Sequence, residues 1–194
     1  EIEFECVGHA TAGTAPHFGP LLTSSGMTET VSAATSVTYA YNSLAAQGSA
    51  TLYAYKYQLG GAAAALRHEY NGCRFGALEI TGGVDAPWRI KFSGEGLYGT
   101  VDDATPTVAS LAFPDDILDG ANGKGCTFSI GGVSTDIKSF SLKTNREVMR
   151  RDSILGTHGV AEIFVTASPG SVHEITLDRQ VELVATRDHW SRLF

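Results

Sequence analysis

Polar and apolar residues alternate with a period of two along most of the chain. Ile2, Phe4 and Cys6 fall on one face of a strand over Glu1–Val7. Cys73, Phe75 and Ala77 alternate with polar or small residues, and the parity then shifts to Leu78 and Ile80 beside Gly76, as a β-bulge allows. After a turn at Gly82–Pro87, Trp88, Ile90 and Phe92 alternate with Arg89, Lys91 and Ser93. The stretch 73–98 therefore predicts a hairpin with one apolar face and one wet face, around which further strands gather.

Those further strands read as Thr35–Tyr41, Ser49–Leu59, Ala62–Tyr70, Cys126–Ile130, Ile137–Thr144, Val160–Ala167 and Val172–Leu177, the last two a pair around the turn Ser168-Pro169-Gly170. Val37, Tyr39 and Tyr41 share a face, as do Tyr53, Tyr55, Tyr57 and Leu59. The two tyrosine rows are expected to pack in the core as cross-strand aromatic pairs. A base-stacking platform needs a basic surround, and only Lys56 is near. Two helices are predicted. One spans about 15–25, with Thr14 as its cap, Pro16 and Pro20 in its first turns and Gly26 closing it. The other is C-terminal, with Val181, Val184, Ala185 and Leu193 in a stripe. The fold class is mainly β, an antiparallel sandwich or barrel with these two helices, in a single domain over 1–194.

The bulk numbers add limits. The chain has 194 residues, enough for one domain with a core, and 22 glycines suit many turns. No stretch approaches transmembrane length, and no membrane partner is expected. A net charge of −7 argues against a protein that grips nucleic acid by its phosphates. Cys6, Cys73 and Cys126 lie far apart and read as small buried hydrophobes in a reducing compartment. Glu1 opens directly into a strand and the last helix runs to Phe194 without a cap, so the chain is expected to continue at both ends.

Two charged segments stand out. Val101–Gly125 has weak periodicity and carries Asp102, Asp103, Asp115, Asp116 and Asp119, which predicts a long acidic loop rather than a calcium site, since the spacing is not that of an EF-hand. Lys138, Lys143, Arg146, Arg150 and Arg151 form the one basic cluster, suited to meet an acidic face of another copy or to guard an edge strand.

Chemistry is not legible. Gly94-Glu-Gly-Leu-Tyr-Gly99 fits G-x-G-x-x-G, but no helical period follows it and no βαβ unit surrounds it. The six histidines show no metal-ligand spacing, no nucleophile elbow exists, and His68 beside Glu69 reads as a strand histidine. No cofactor, metal or catalytic residue is assigned, and no enzyme activity is expected.

Several segments, taken in order, resemble the major tail tube proteins of siphophages. GTAPHFGPLLTSSGMTETV at 13–31 is similar to the segment before the first tube-wall strands. TSVTYAY at 35–41 and TLYAYKYQLGG at 51–61 resemble the paired strands that follow. GALEITGGVDAPWRIKFSGEGLYGTVDDATP at 76–106, FSLKTNREVMRRDSILGTHGVAEIFVT at 140–166 and LVATRDHW at 183–190 resemble later segments. The resemblance implies a β-sandwich or barrel that assembles into hexameric rings, stacked as a tube that conducts DNA. Its partners would be itself and other tail proteins, with DNA passing non-specifically, and it would be assembled in the bacterial host cytoplasm into the virion tail. Lumen or interface residues are sought among Asp102, Asp103, Asp115, Asp116, Arg146, Arg150 and Arg151. The competing class is a monomeric β-sandwich module binding carbohydrate or a protein through exposed Tyr53, Tyr55 or Trp88; in a tube subunit these aromatics are expected to be buried.

Overall fold

The predicted hairpin is the spine of the molecule and is longer than its pattern suggests. A computed structural model describes residues 1–41, 47–57, 65–84, 86–106, 129–130, 133–134, 137–166 and 173–179. Along the chain lie β1 (Ile2–Glu5), α1 (Gly19–Ser24), β2 (Met27–Ser32), β3 (Ser36–Tyr41), β4 (Ala50–Lys56), β5 (Ala65–Gly83) and β6 (Ala86–Ala104). After them come β7 (Ser129–Ile130), β8 (Val133–Ser134), β9 (Ile137–Asn145), β10 (Val148–Thr157), β11 (Val160–Val165) and β12 (His173–Arg179).

β5 and β6, 19 residues each, pair antiparallel over their whole length. β5 absorbs most of the separately predicted strand Ala62–Tyr70, and β6 takes in the first residues of the predicted acidic loop, Val101–Ala104. Bulges make this possible. Gly72, with φ of 60°, supplies the left-handed residue that re-phases the strand between Tyr70 and Cys73. At Gly76 the register slips again, so Phe75 faces Gly94 while Ala77 faces Ser93. Tyr70, Cys73, Phe75, Leu78 and Ile80 thereby share one face despite their uneven spacing. The bulge read from the parity shift beside Gly76 is present.

A six-stranded sheet grows from this spine. β1 lies on the outer edge of β6, with Ile2 opposite Phe92 and Glu5 opposite Arg89. The other edge of β5 is shared: β4 takes residues 66–73 and β9 takes 77–83. β12 then pairs with β9, Ile175 opposite Leu142.

Two predicted pairings are replaced by shorter-range hairpins. β3 pairs not with β4 but with β2, a strand the pattern did not single out, around a turn that holds Ala34 at φ 55°. β11 pairs not with Val172–Leu177 but with β10, through His158 and Gly159 at φ 55° and 77°, the left-handed pair of a type I′ turn. Closing a short loop costs less entropy than closing a long one.

α1 lies on the apolar face of the sheet. It is shorter than predicted because Thr14 does not cap it; Phe18 stands at the N-cap, without a side-chain cap bond, while Gly26 follows at φ 81° as expected. Phe18, Leu21 and Leu22 pack on Cys73, Phe75, Leu78, Ile90 and Phe92, with Ile2, Phe4, Leu52, Tyr70 and Ile80 around them. Phe92, at 0% exposure, is the centre of this core, its ring edge-on to Phe75 at 5.8 Å. The predicted C-terminal helix, Cys126 and the acidic loop from 107 on lie outside the described residues.

Candidate assembly surface

β4, the first part of β5 and the last part of β6 form a three-stranded arm that starts at the core, where Ala50, Leu52 and Tyr70 pack, and continues away from Phe92. Both of its edges are open among the described residues. β1 reaches only to Phe92, so β6 from Ser93 to Ala104 pairs on one side alone. β4 likewise has β5 on one side and no described strand on the other. Such edges present rows of unused backbone donors and acceptors, a template for another strand.

The registers divide the sheet into two faces. Opposite the core lies a continuous polar face: Glu1, Glu3 and Glu5; Arg89, Lys91, Ser93, Glu95, Thr100 and Asp102; Arg67, Glu69, Glu79 and Thr81; Ser141 and Lys143; Glu174, Thr176 and Asp178. Carboxylates outnumber cations across it. Arg67 binds Asp102 through both nitrogens of its fork, at 2.8 and 2.6 Å, and this holds the Asp102 carboxyl below its ordinary range. Lys91 does the same for Glu1 at 2.8 Å. Arg89–Glu3 and Lys143–Glu79 complete the ladder at 2.8 and 3.2 Å. Arg67, Arg89, Lys91 and Lys143 each stand opposite a carboxylate on a neighbouring strand, Lys143 between Glu79 and Glu174, so none of these four cations is left free to anchor a phosphate backbone.

A family model for phage tail tube proteins matches residues 10–171. The chain belongs to the phage tail tube protein family. It is thus a structural component of the phage tail, assembling with itself and with other tail proteins. No curated protein and no solved structure matches it.

In this tail tube protein the residues singled out from sequence fall in different places. Asp102 is on the polar face. Asp103 is on the other, opposite Leu66. Asp115 and Asp116 lie outside the described residues. The basic cluster is not one patch. Arg146 is buried: its Nη1 donates to the Ser25 carbonyl at 3.1 Å, its Nε to that of Thr166 at 3.3 Å, and its guanidinium stacks 4.8 Å over the Tyr41 ring. Arg150 and Arg151 are exposed, and each already has a carboxylate, Asp152 at 2.8 Å and Glu162 at 3.2 Å. The other acids of the polar face, Glu1, Glu3, Glu5, Glu69, Glu79, Glu95, Glu174 and Asp178, were not singled out; the signal of the first three was the alternation itself, Glu1, Glu3 and Glu5 set against Ile2 and Phe4.

The aromatic rows correct an expectation. Tyr53 and Tyr57 are exposed rather than in the core, and Tyr53 lies on the polar face with Arg67 5.0 Å above its ring. The glycine motif is strand throughout, within β6; a side chain at Gly96 would strike the sulfur of Cys73. Cys6 and Cys73 are free thiols, and burial raises both above the usual thiol range. Among the described residues no cluster of His, Cys, Asp or Glu could hold a metal.

Proposed function

We propose that copies of this chain join edge to edge through the arm, the open side of β6 meeting the open side of β4 on the next copy. They form rings of six that stack into a tube. The single observation that carries this is the pair of open edges on opposite sides of one three-stranded arm. Main-chain hydrogen bonds then provide adhesion without special side chains, and a repeated head-to-tail contact closes a ring when its rotation allows. The role is structural and requires no catalysis.

The polar face lines the bore in this reading, and the apolar face turns toward the core and the tube wall. A lining in which carboxylates outnumber cations repels phosphate, so DNA slides instead of binding. The likeness to siphophage tail tubes in the segments between 13 and 190 supports the same arrangement.

Exposed Tyr53 and Tyr57 favour a second reading, a module that binds carbohydrate or a protein. Arg67 covers one face of the Tyr53 ring, which leaves a sugar at most the other face to stack on. Electron microscopy of the purified chain over a range of concentration and salt decides between them. Rings or tubes with a central channel are expected; a strict monomer under every condition, with binding to a glycan array, overturns the tube.

A further inference from the structure

The tip of the β10–β11 hairpin carries two aliphatic side chains with nothing to touch. Asp152 and Thr157 both register with Val160, so residues 153–156 are looped out of the ladder. Ile154 and Leu155, adjacent on that loop, are 101% and 96% exposed. The excursion is built in by Gly156, where any side chain would strike the Val160 backbone. Isolated surface hydrophobes are ordinary, but two neighbours fully in water on a hairpin tip mark a contact site.

The same chain offers a matching surface. On the core side of the arm, beyond the part α1 covers, Leu66, Tyr98 and Val101 are exposed side by side, Val101 opposite His68 and Tyr98 opposite Tyr70. Asp103 and, opposite Leu66 on β4, Lys56 border this patch; Asp103 has no ion-pair partner among the described residues, and Arg150 and Arg151, each beside a carboxylate of its own, border the tip. Apolar meets apolar, and Asp103 offers an arginine of the tip a carboxylate with no ion-pair partner of its own among the described residues. Since Ile154 and Leu155 touch nothing among the described residues of their own chain, a patch that they cover belongs to a different copy.

We propose that the Ile154–Leu155 tip of one subunit packs onto the Leu66–Tyr98–Val101 patch of a second, with an arginine of the tip beside Asp103. This rests on the self-assembly reading above but is a separate contact from the strand edges. It joins unlike surfaces, so each copy gives a tip and receives one, and the contact propagates.

Two variants test it. A chain carrying both Leu155→Cys and Val101→Cys, oxidised after assembly, is expected to give a ladder of covalent oligomers, while each single variant gives none. Ile154→Asp with Leu155→Asp is expected to melt at the temperature of the unaltered chain, because these side chains make no contacts within it, and to need at least tenfold more protein to assemble. If the unaltered chain forms tubes and neither variant differs from it, the tip contact is wrong and the edge-to-edge tube stands. If the unaltered chain forms no rings or tubes, the tube reading fails; the cysteine pair then decides the tip contact alone, a ladder supporting it and its absence overturning it.

Discussion

Asp102 and Asp103 are neighbours in the chain and stand on opposite faces of the sheet. Asp102 meets Arg67 on the polar face, and Asp103 faces Leu66 on the apolar one. Their charges are therefore expected to act on different processes. Replacing Glu95 and Asp102 with lysine is expected to make assembled tubes retain DNA on co-sedimentation at low salt, with retention fading as salt rises. Tubes of the unaltered chain are expected to retain none. Asp103→Lys should raise the concentration needed for assembly and leave DNA retention unchanged.

Gly76 sits where β5 bulges against the chain leaving β9, and a Cβ there would collide with the Arg146 carbonyl and crowd Val148. Backbone cannot give way as a flexible side chain can. Gly76→Ala is expected to cost about 1–3 kcal/mol, read as a lower Tm. Gly8→Ala, where a Cβ meets nothing within 4 Å, serves as the neutral control.

Arg146 is a tie between elements. It joins the end of α1 at Ser25, the exit of β11 at Thr166 and the Tyr41 ring of β3. Arg146→Ala leaves these carbonyls without their donor and is expected to cost roughly 1–3 kcal/mol. Arg150→Ala and Arg151→Ala break only exposed ion pairs and should stay within about 0.5 kcal/mol of the unaltered chain. Thermal melts of the three variants side by side measure the contrast.

Tyr39 donates to the Glu29 carboxylate at 2.6 Å, and partial burial with that negative neighbour raises its phenol well above the ordinary value of 10.0. Above that value the unfolded chain releases the proton while the folded chain keeps it. The folded state then binds more protons, so stability falls as pH rises. Denaturant midpoints measured from pH 8 to 11 are expected to drop at the alkaline end, and to drop less in Tyr39→Phe.

Period-two alternation made the spine hairpin, β1 and β9 legible, because it reports which face a residue takes. It does not report partners, and so β3 and β11 were assigned to the wrong neighbours. It also fails across bulges. Trp88, Ile90, Phe92 and Tyr98 put even positions of β6 on the core side, which would send Asp102 inward and Asp103 outward. The slip between Tyr98 and Val101 reverses both. Arg146 was unreadable for another reason: in sequence it stands among the cations Lys143, Arg150 and Arg151, while the carbonyls it serves come from residues 25 and 166.

The two edges of the arm left open among the described residues also set how intermediates of edge-to-edge assembly compare. An arc of two subunits, or of five, leaves one β6 side and one β4 side unpaired, the same two as a lone subunit. Lengthening an arc removes no ends; only closure does, and it removes both at once. In a tube built this way the last subunit added gains two edge contacts where every earlier one gained a single contact. In such an assembly the population is expected to divide into free subunits and finished rings, with few arcs between them.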